Sequence, residues 1–239
     1  VWDNTSKITR YTAKTGTLPT NYSINYYEGM TLGEMWGYKC DGLFQSDEEG
    51  QTWANYSKFT NRSATWQAGD PRYLDLNGDG YVNNGNNTIY DHGDLVKIGN
   101  TTPRYSYSIQ GGVRWNGIGI SMMWQGVGKR DWYPANESGY FWGQYGRPYS
   151  MALPWHNSDR WSPTNRGAYW PRLVGYSASD SGLILAQPNT RYVQDASYIR
   201  LKNLTIDYNF PKELVNKIGL QSLKIYVSGE NLLTFSPLK

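Results

Sequence analysis

Cysteine pairs, long apolar runs and helical periodicity are all missing from this chain, and each absence closes a class of answers. The single cysteine, Cys40, cannot build an internal disulfide framework, and a buried, inert thiol is its simplest role. No apolar run reaches the roughly 18 residues of a membrane helix. That leaves β-barrel strands open, because they give only a weak alternating signal. The 23 basic and 20 acidic residues sum to +3 without a basic run, so nucleic-acid binding has no electrostatic support. Only 2 histidines are present, and no zinc spacing, phosphate loop or nucleophile elbow appears. Catalysis is therefore not expected. Val1 opens no signal peptide, which would place any export signal upstream.

What is abundant is the polar-tipped aromatic ring. The chain carries 21 Tyr and 11 Trp against 5 Phe, at a mean hydropathy of −0.68. Such rings suit ligand-contact surfaces and the water–lipid boundary.

Where periodicity exists, its period is two. In 104–114, Tyr105, Tyr107, Ile109, Gly111 and Val113 fall on one face and Ser106, Ser108, Gln110, Gly112 and Arg114 on the other. Trp115-Asn116-Gly117 is a tight-turn signal. In 118–127, Ile118, Ile120, Met122 and Trp124 then alternate with Gly119, Ser121, Met123 and Gln125. This predicts a hairpin. A second pair, 203–210 and 223–232, alternates Leu204, Ile206, Tyr208 and Phe210, then Leu223, Ile225 and Val227, with polar residues. Between them, 211–219 reads as one short helix, with Pro211 at its first position and Gly219 past its end.

A soluble sandwich also alternates. Strands of about ten residues, and connections alternating between very short and very long (128–197), match an outer-membrane barrel as well. Pattern alone leaves both open.

Asp75, Asn77 and Asp79, with Gly80 at the turn, occupy the first alternate positions of a calcium loop, and the Tyr81 carbonyl falls at the next. A twelve-residue loop would close at Asn86, a poor bidentate ligand. The competing reading is a solvated, Asx-rich loop without an ion.

Several stretches, in order, resemble the SusC/RagA class of TonB-dependent outer-membrane nutrient transporters. They are 26–49 (YYEGMTLGEMWGYKCDGLFQSDEE), 69–80 (GDPRYLDLNGDG), 94–109 (DLVKIGNTTPRYSYSI), 122–134 (MMWQGVGKRDWYP), 190–211 (TRYVQDASYIRLKNLTIDYNFP) and 224–235 (KIYVSGENLLTF). The resemblance implies an all-β fold: antiparallel strands from the C-terminal part of a barrel, with long outer loops and one short helix. On this basis 1–239 is one barrel segment of about six to eight strands. It contains a calcium-binding outer loop at 69–102 and an aromatic-rich outer loop at 128–197. The resemblance also moves the closing acid of the calcium loop to Asp94, before the Leu95–Gly99 run, and makes the residues between an insertion. It implies a SusD-like surface lipoprotein partner and contact with TonB through a part preceding this chain. It further implies a setting in outer-membrane lipid of a Gram-negative cell, and import of glycans first and peptides second.

Among the many rings of 128–197, Trp132, Tyr133, Trp142, Trp155 and Trp161 are the candidates for substrate contact, although most rings in a loop that long should pack on one another. Asp207 and Lys224 fall on the face that would line the transport path. His156 and Asp159, three apart, read as structural rather than metal-binding, and Asp47–Glu49 as a solvated acidic run. Glycan-acceptor patterns at 21–23, 55–57 and 61–63 are expected to be chance. A calcium-stabilised carbohydrate-binding sandwich, secreted and soluble, is the rival reading. A glycoside hydrolase would need two facing carboxylates.

Overall fold

The computed structural model describes residues 2–3, 5–11, 16–19, 25–53, 66–135, 138–146, 151–173 and 188–238; the three glycan-acceptor patterns lie outside them. Its strands are β1 (Trp2–Asp3), β2 (Glu34–Tyr38), β3 (Cys40–Leu43), β4 (Pro71–Tyr73), β5 (Leu95–Asn100) and β6 (Tyr105–Trp115). They continue with β7 (Ile118–Val127), β8 (Asp131–Trp132), β9 (Gln194–Asp195), β10 (Tyr198–Asn209) and β11 (Lys224–Phe235). The helices are α1 (Asp47–Thr52), α2 (Gly139–Trp142), α3 (Pro154–Ser158) and α4 (Lys212–Val215), all short. Two compact units result: Val1–Thr5, Thr102–Asp131 and Asp195–Lys239 make one, and Ser6–Thr101 with Trp132–Gln194 make the other.

The first unit is a five-stranded antiparallel sheet in the order β1-β6-β7-β10-β11. Asn116 and Gly117 both have positive φ, 47° and 87°, as the predicted two-residue turn between β6 and β7 demands. Directly paired residues share a face. Val113 pairs with Ile120, Ile120 with Ile206, and Ile206 with Val227. One row along, Gly111, Met122, Leu204 and Gly229 align, and on the other side Trp115, Ile118, Tyr208 and Ile225. The opposite face aligns Gly112, Ser121, Thr205 and Ser228, and then Arg114, Gly119, Asp207 and Tyr226.

One face is thus apolar across four strands and the other polar. The apolar one is uncovered: Val113 is 67% exposed, Ile206 48% and Val227 77%. A sandwich needs a second sheet on that face, so the sandwich reading fails here. The expected six to eight barrel strands are five, because residues 6–101 and 132–194 enter the other unit instead.

Lys202 interrupts the alternation. Leu201 and Asn203 pair with adjacent residues, Trp124 and Met123, so Lys202 is an extra residue in a bulge. Across the other edge the register jumps from Leu233 to Glu230, where Asn231 turns to φ 54°. The bulge restores parity, which is why Leu201 and Leu204, three apart, both serve the apolar face.

The predicted helix is α4, extended by a 3-10 turn (Asn216–Ile218) and ended by Gly219 at φ 77°. Pro211 caps it rather than occupying its first position. One helix was expected in the whole chain, and four short ones are present among the described residues. The sequence at α1 shows why: Ser46 Oγ accepts from Glu49 N–H at 3.2 Å and Glu49 Oε2 accepts from Gln45 N–H at 2.7 Å. This is a capping box displaced by one residue. The acidic run is consequently not simply solvated, since Arg72 pairs with both Glu49 and Asp41.

The second unit is built around β2, which is buried throughout and pairs with β5 from Glu34↔Asn100 to Tyr38↔Leu95. Tyr38 N–H also donates to the Pro188 carbonyl at 2.8 Å, and Thr190 N–H to the Tyr38 carbonyl at 3.0 Å. These bonds stitch the start of the unit to its end. Its core joins Leu18, Met35, Trp36, Phe44, Tyr73 and Leu95 to Tyr133, Phe141, Trp142, Tyr145, Trp170 and Tyr192. Trp170 is the hub, with Phe141 at 5.0 Å edge-on and Tyr192 at 5.7 Å stacked. Some polar tips are satisfied inside: Tyr145 Oη donates to the Pro171 carbonyl at 2.7 Å and Trp142 Nε1 to that of Pro134 at 3.2 Å, whereas Trp36 Nε1 is buried without a hydrogen-bond partner among the described residues. This is how so many Tyr and Trp make a core with little Phe.

Candidate functional site

Residues 75–94 hold the candidate ion loop. Asp75 receives Gly78 N–H on Oδ1 at 2.7 Å and Gly80 N–H on Oδ2 at 2.9 Å. Gly78 and Gly80 take φ of 74° and 82°, the left-handed region that glycine reaches without strain. Asn77 Oδ1 accepts from Asp79 N–H at 3.0 Å, and Asp79 Oδ1 from Tyr81 N–H at 2.8 Å. Asp94, fully buried, reaches the same turn: Oδ1 accepts from Leu76 N–H at 2.7 Å and Oδ2 from Asn83 N–H at 2.8 Å. The structure therefore gathers Asp75, Asn77, Asp79, Tyr81 and Asp94 on one loop.

Their chemistry fits a hard cation, with oxygen donors on alternate residues and lone-pair capacity left on a carboxylate that holds two amides. Their arrangement is not a ready acidic cluster: among the described residues, no three His, Cys, Asp or Glu side chains group to hold a metal. The turn is held by backbone N–H groups on the side-chain oxygens of Asp75, Asn77, Asp79 and Asp94. The insertion has structural work of its own. Leu18 N–H donates to the Asn87 carbonyl at 2.9 Å and Ile89 N–H to that of Gly16 at 3.0 Å. Ile89 packs on the core.

The five candidate rings part ways. Tyr133 and Trp142, 2% and 0% exposed, are core and offer a ligand no surface. Trp132 is half-buried, edge-on to Phe141. Trp161 is half-buried with Nε1 sealed and unpartnered, and Gly69 lies so close that a Cβ there would come within 2.6 Å of its ring. Only Trp155 is well exposed. Asn189, fully buried, donates from Nδ2 to Tyr133 Oη at 3.0 Å and Tyr73 Oη at 3.3 Å. That amide fixes Tyr133 in place.

Several titratable groups of this unit are buried with partners. Burial pushes the Asp70 carboxyl up, against the pull of Arg172. For Glu34 burial also works upward, but donors from Tyr27, Thr31 and Lys97 outweigh it and hold the group below its usual range. On the polar face of the sheet, Asp207 Oδ1 pairs with Arg114 Nη2 at 2.6 Å and Lys224 Nζ at 3.4 Å. His156 is 3% exposed, as a structural histidine should be, and Asp159 Oδ1 accepts from Tyr169 N–H at 3.2 Å.

No family model matches the chain. Individual proteins do. TonB-dependent receptor P3 of Formosa agariphila is 30% identical over 212 residues, covering 87% of this chain and 18% of that protein. The chain belongs to the TonB-dependent receptors. TonB-dependent receptor P26 of the same organism is 27% identical over 173 residues, covering 72% of the chain and 16% of the receptor. The solved structure of the RagAB peptide transporter shares the fold with a TM-score of 0.57 over 94% of this chain and 21% of its own, at 17% identity.

The segment spans less than a fifth of the length of the curated receptors it matches. Two open sheet edges are what a piece of such a receptor should show, since closure needs the rest of the barrel. No described helix is long and apolar enough to cross a membrane. Sequence reasoning did not single out three residues that matter in this receptor segment: Asp70 with Arg172, and Asn189. Each partner lies far away in the chain, so no local pattern marks it.

Proposed function

We propose that this segment forms part of the wall and of an outer body of a TonB-dependent importer in a Gram-negative outer membrane. The observation that carries this reading is the four-strand apolar face, exposed at Val113, Ile206 and Val227 and backed by a polar face. Lipid covers such a face; water does not favour it. The polar face, with Arg114, Asp207 and Lys224, borders the lumen. Import is energised through TonB, reached by a part of the receptor outside this chain, and this chain performs no covalent chemistry.

The cargo is a nutrient oligomer, a glycan first. The solved neighbour is named as a peptide transporter, and a peptide is the second choice. A SusD-like surface lipoprotein closes over the cargo from outside. Calcium, bound by Asp75, Asn77, Asp79, the Tyr81 carbonyl and Asp94, stiffens the 69–102 loop and plays no part in transport itself.

The test is growth of the native host on single oligosaccharides, with the receptor gene deleted and restored. The reading predicts growth on at least one glycan that needs both the receptor and TonB. Growth indifferent to both would sink it, and a requirement on peptides alone would reverse the cargo.

A further inference from the structure

Two large rings on the short helices α2 and α3 stay outside the core of the second unit and lie against each other. Tyr140 on α2 is 75% exposed and Trp155 on α3 is 38% exposed. Their centroids stand 5.1 Å apart with planes at 52°. Each has a buried neighbour in sequence, Phe141 and His156, so α2 turns Phe141 and Trp142 inward and Tyr140 outward, and α3 turns His156 inward and Trp155 outward. Phe141 and His156 are joined. His156 Nε2 donates to the Phe141 carbonyl at 2.8 Å, which sets the tautomer. The imidazole stands edge-on to Trp170 at 4.3 Å. It also leans on Gly143, where a Cβ would come within 2.7 Å of Cε1.

We infer that Tyr140 and Trp155 form a stacking notch for a neutral sugar ring, and that His156 is the residue that positions it. Two planes at 52° cannot cover one another, so each keeps an apolar face open. A pyranose offers matching C–H faces with hydroxyls at its rim. Polar groups are exposed on the same two helices: the Tyr140 phenol on α2, and Asn157 and Ser158 on α3. Residues 138–146 and 151–158 contain no Asp, Glu, Lys or Arg, and the acid that follows α3, Asp159, accepts from Tyr169 N–H at 3.2 Å. The Nε2 bond from α3 to α2 fixes the angle between the rings, because each ring is adjacent to one end of that bond.

The inference rests on the import reading but is tested apart from it. The purified receptor carrying this chain is titrated with an array of neutral oligosaccharides and, in parallel, a peptide library. Neutral oligosaccharides should bind. Tyr140→Ala and Trp155→Ala should each weaken them roughly tenfold or more. Tyr90→Ala, at a still more exposed ring elsewhere, should leave affinity unchanged. His156→Gln, whose amide can still donate to Phe141, should keep binding where His156→Ala reduces it. Unchanged affinity in the Tyr140→Ala/Trp155→Ala double variant would overturn the notch and leave import standing, as would peptides bound with oligosaccharides ignored. A wild-type receptor that takes up neither oligosaccharide nor peptide through TonB would overturn the import reading itself.

Discussion

The guanidinium of Arg172 grips both carboxylate oxygens of Asp70, with Nε 2.6 Å from Oδ1 and Nη2 3.1 Å from Oδ2. The partners lie 102 positions apart and belong to the two chain excursions that make the second unit. The neighbouring backbone is tied as well, since Arg172 N–H donates to the Gly69 carbonyl at 2.9 Å. A two-point fork on a buried acid holds the excursions together in a way that a single surface ion pair could not.

Removing one side of this pair should therefore do more harm than removing both. Arg172→Met leaves a buried carboxylate unmatched and should cost about 3–5 kcal/mol. The Asp70→Leu/Arg172→Met double variant should recover most of that. Hydrogen exchange over residues 66–73 and 160–172 of the receptor reads both, and a double variant no more protected than Arg172→Met would refute the reasoning.

Asn189 makes a second long-range tie. Asn189→Ala withdraws the amide that Tyr73 and Tyr133 share and the oxygen that receives Arg191 N–H at 3.1 Å. The expected loss is about 1–3 kcal/mol, seen as faster proteolysis within the unit. A cleavage rate equal to wild type would contradict the network.

Gly37→Ala should fail for steric reasons alone. The added Cβ would meet the Pro188 carbonyl oxygen at 2.3 Å, and that oxygen already accepts from Tyr38. Backbone cannot rotate away as a side chain can. Expression of a folded variant with protection at Tyr38 and Thr190 unchanged would show that the close approach is wrong.

His156 gives the unit a pH dependence. Burial holds the imidazole below its ordinary pKa, against the pull of the Phe141 carbonyl, and a proton on Nδ1 would find no acceptor. The unfolded histidine takes up a proton near pH 6.5, so the unfolded state binds more protons below that point. Stability is complete above about pH 6.5 and falls as pH drops toward the lowered folded value. Exchange at 139–146 and 153–158 should speed up between pH 7 and pH 5 in wild type and much less in His156→Gln. Equal acceleration in both would assign the effect to other groups.

For the ion loop, Asp75→Ala and Asp79→Ala should each abolish the rise in melting temperature that calcium produces in the receptor. A calcium response retained in both variants would leave the loop as a hydrogen-bonded turn.

Much of the sheet was legible because one apolar and one polar face impose a strict period of two. Val113, Ile120, Ile206 and Val227 fell on one face by parity, and Asn116-Gly117 named its own turn. Lys202 was not legible: a bulge changes parity by one residue and leaves no compositional mark. The second unit was hidden for another reason. Its defining contacts, Asp70 with Arg172 and Tyr38 with Pro188, join segments more than a hundred positions apart, so its residues read as two long loops. Burial of the rings was hidden for the same reason, since Trp142 and Tyr133 look alike in sequence whether they face a ligand or a core. Asp94 was reachable only through the family resemblance, because spacing alone closes the loop at Asn86. The cap at Ser46 was visible in principle, as a serine three residues ahead of a glutamate.

The barrel-wall role requires that the apolar face of the sheet meets lipid and the polar face meets water. Single cysteines at Val113, Ile206 and Val227, and at Ser121, Thr205 and Ser228, can be placed in a cysteine-free receptor and challenged in outer-membrane vesicles with a water-soluble maleimide and a lipid-borne quencher. The first three should resist the maleimide and be quenched from the lipid, and the second three should react from the lumen and escape quenching. Rapid maleimide labelling at Val113, Ile206 and Val227 without lipid quenching would contradict the barrel-wall reading.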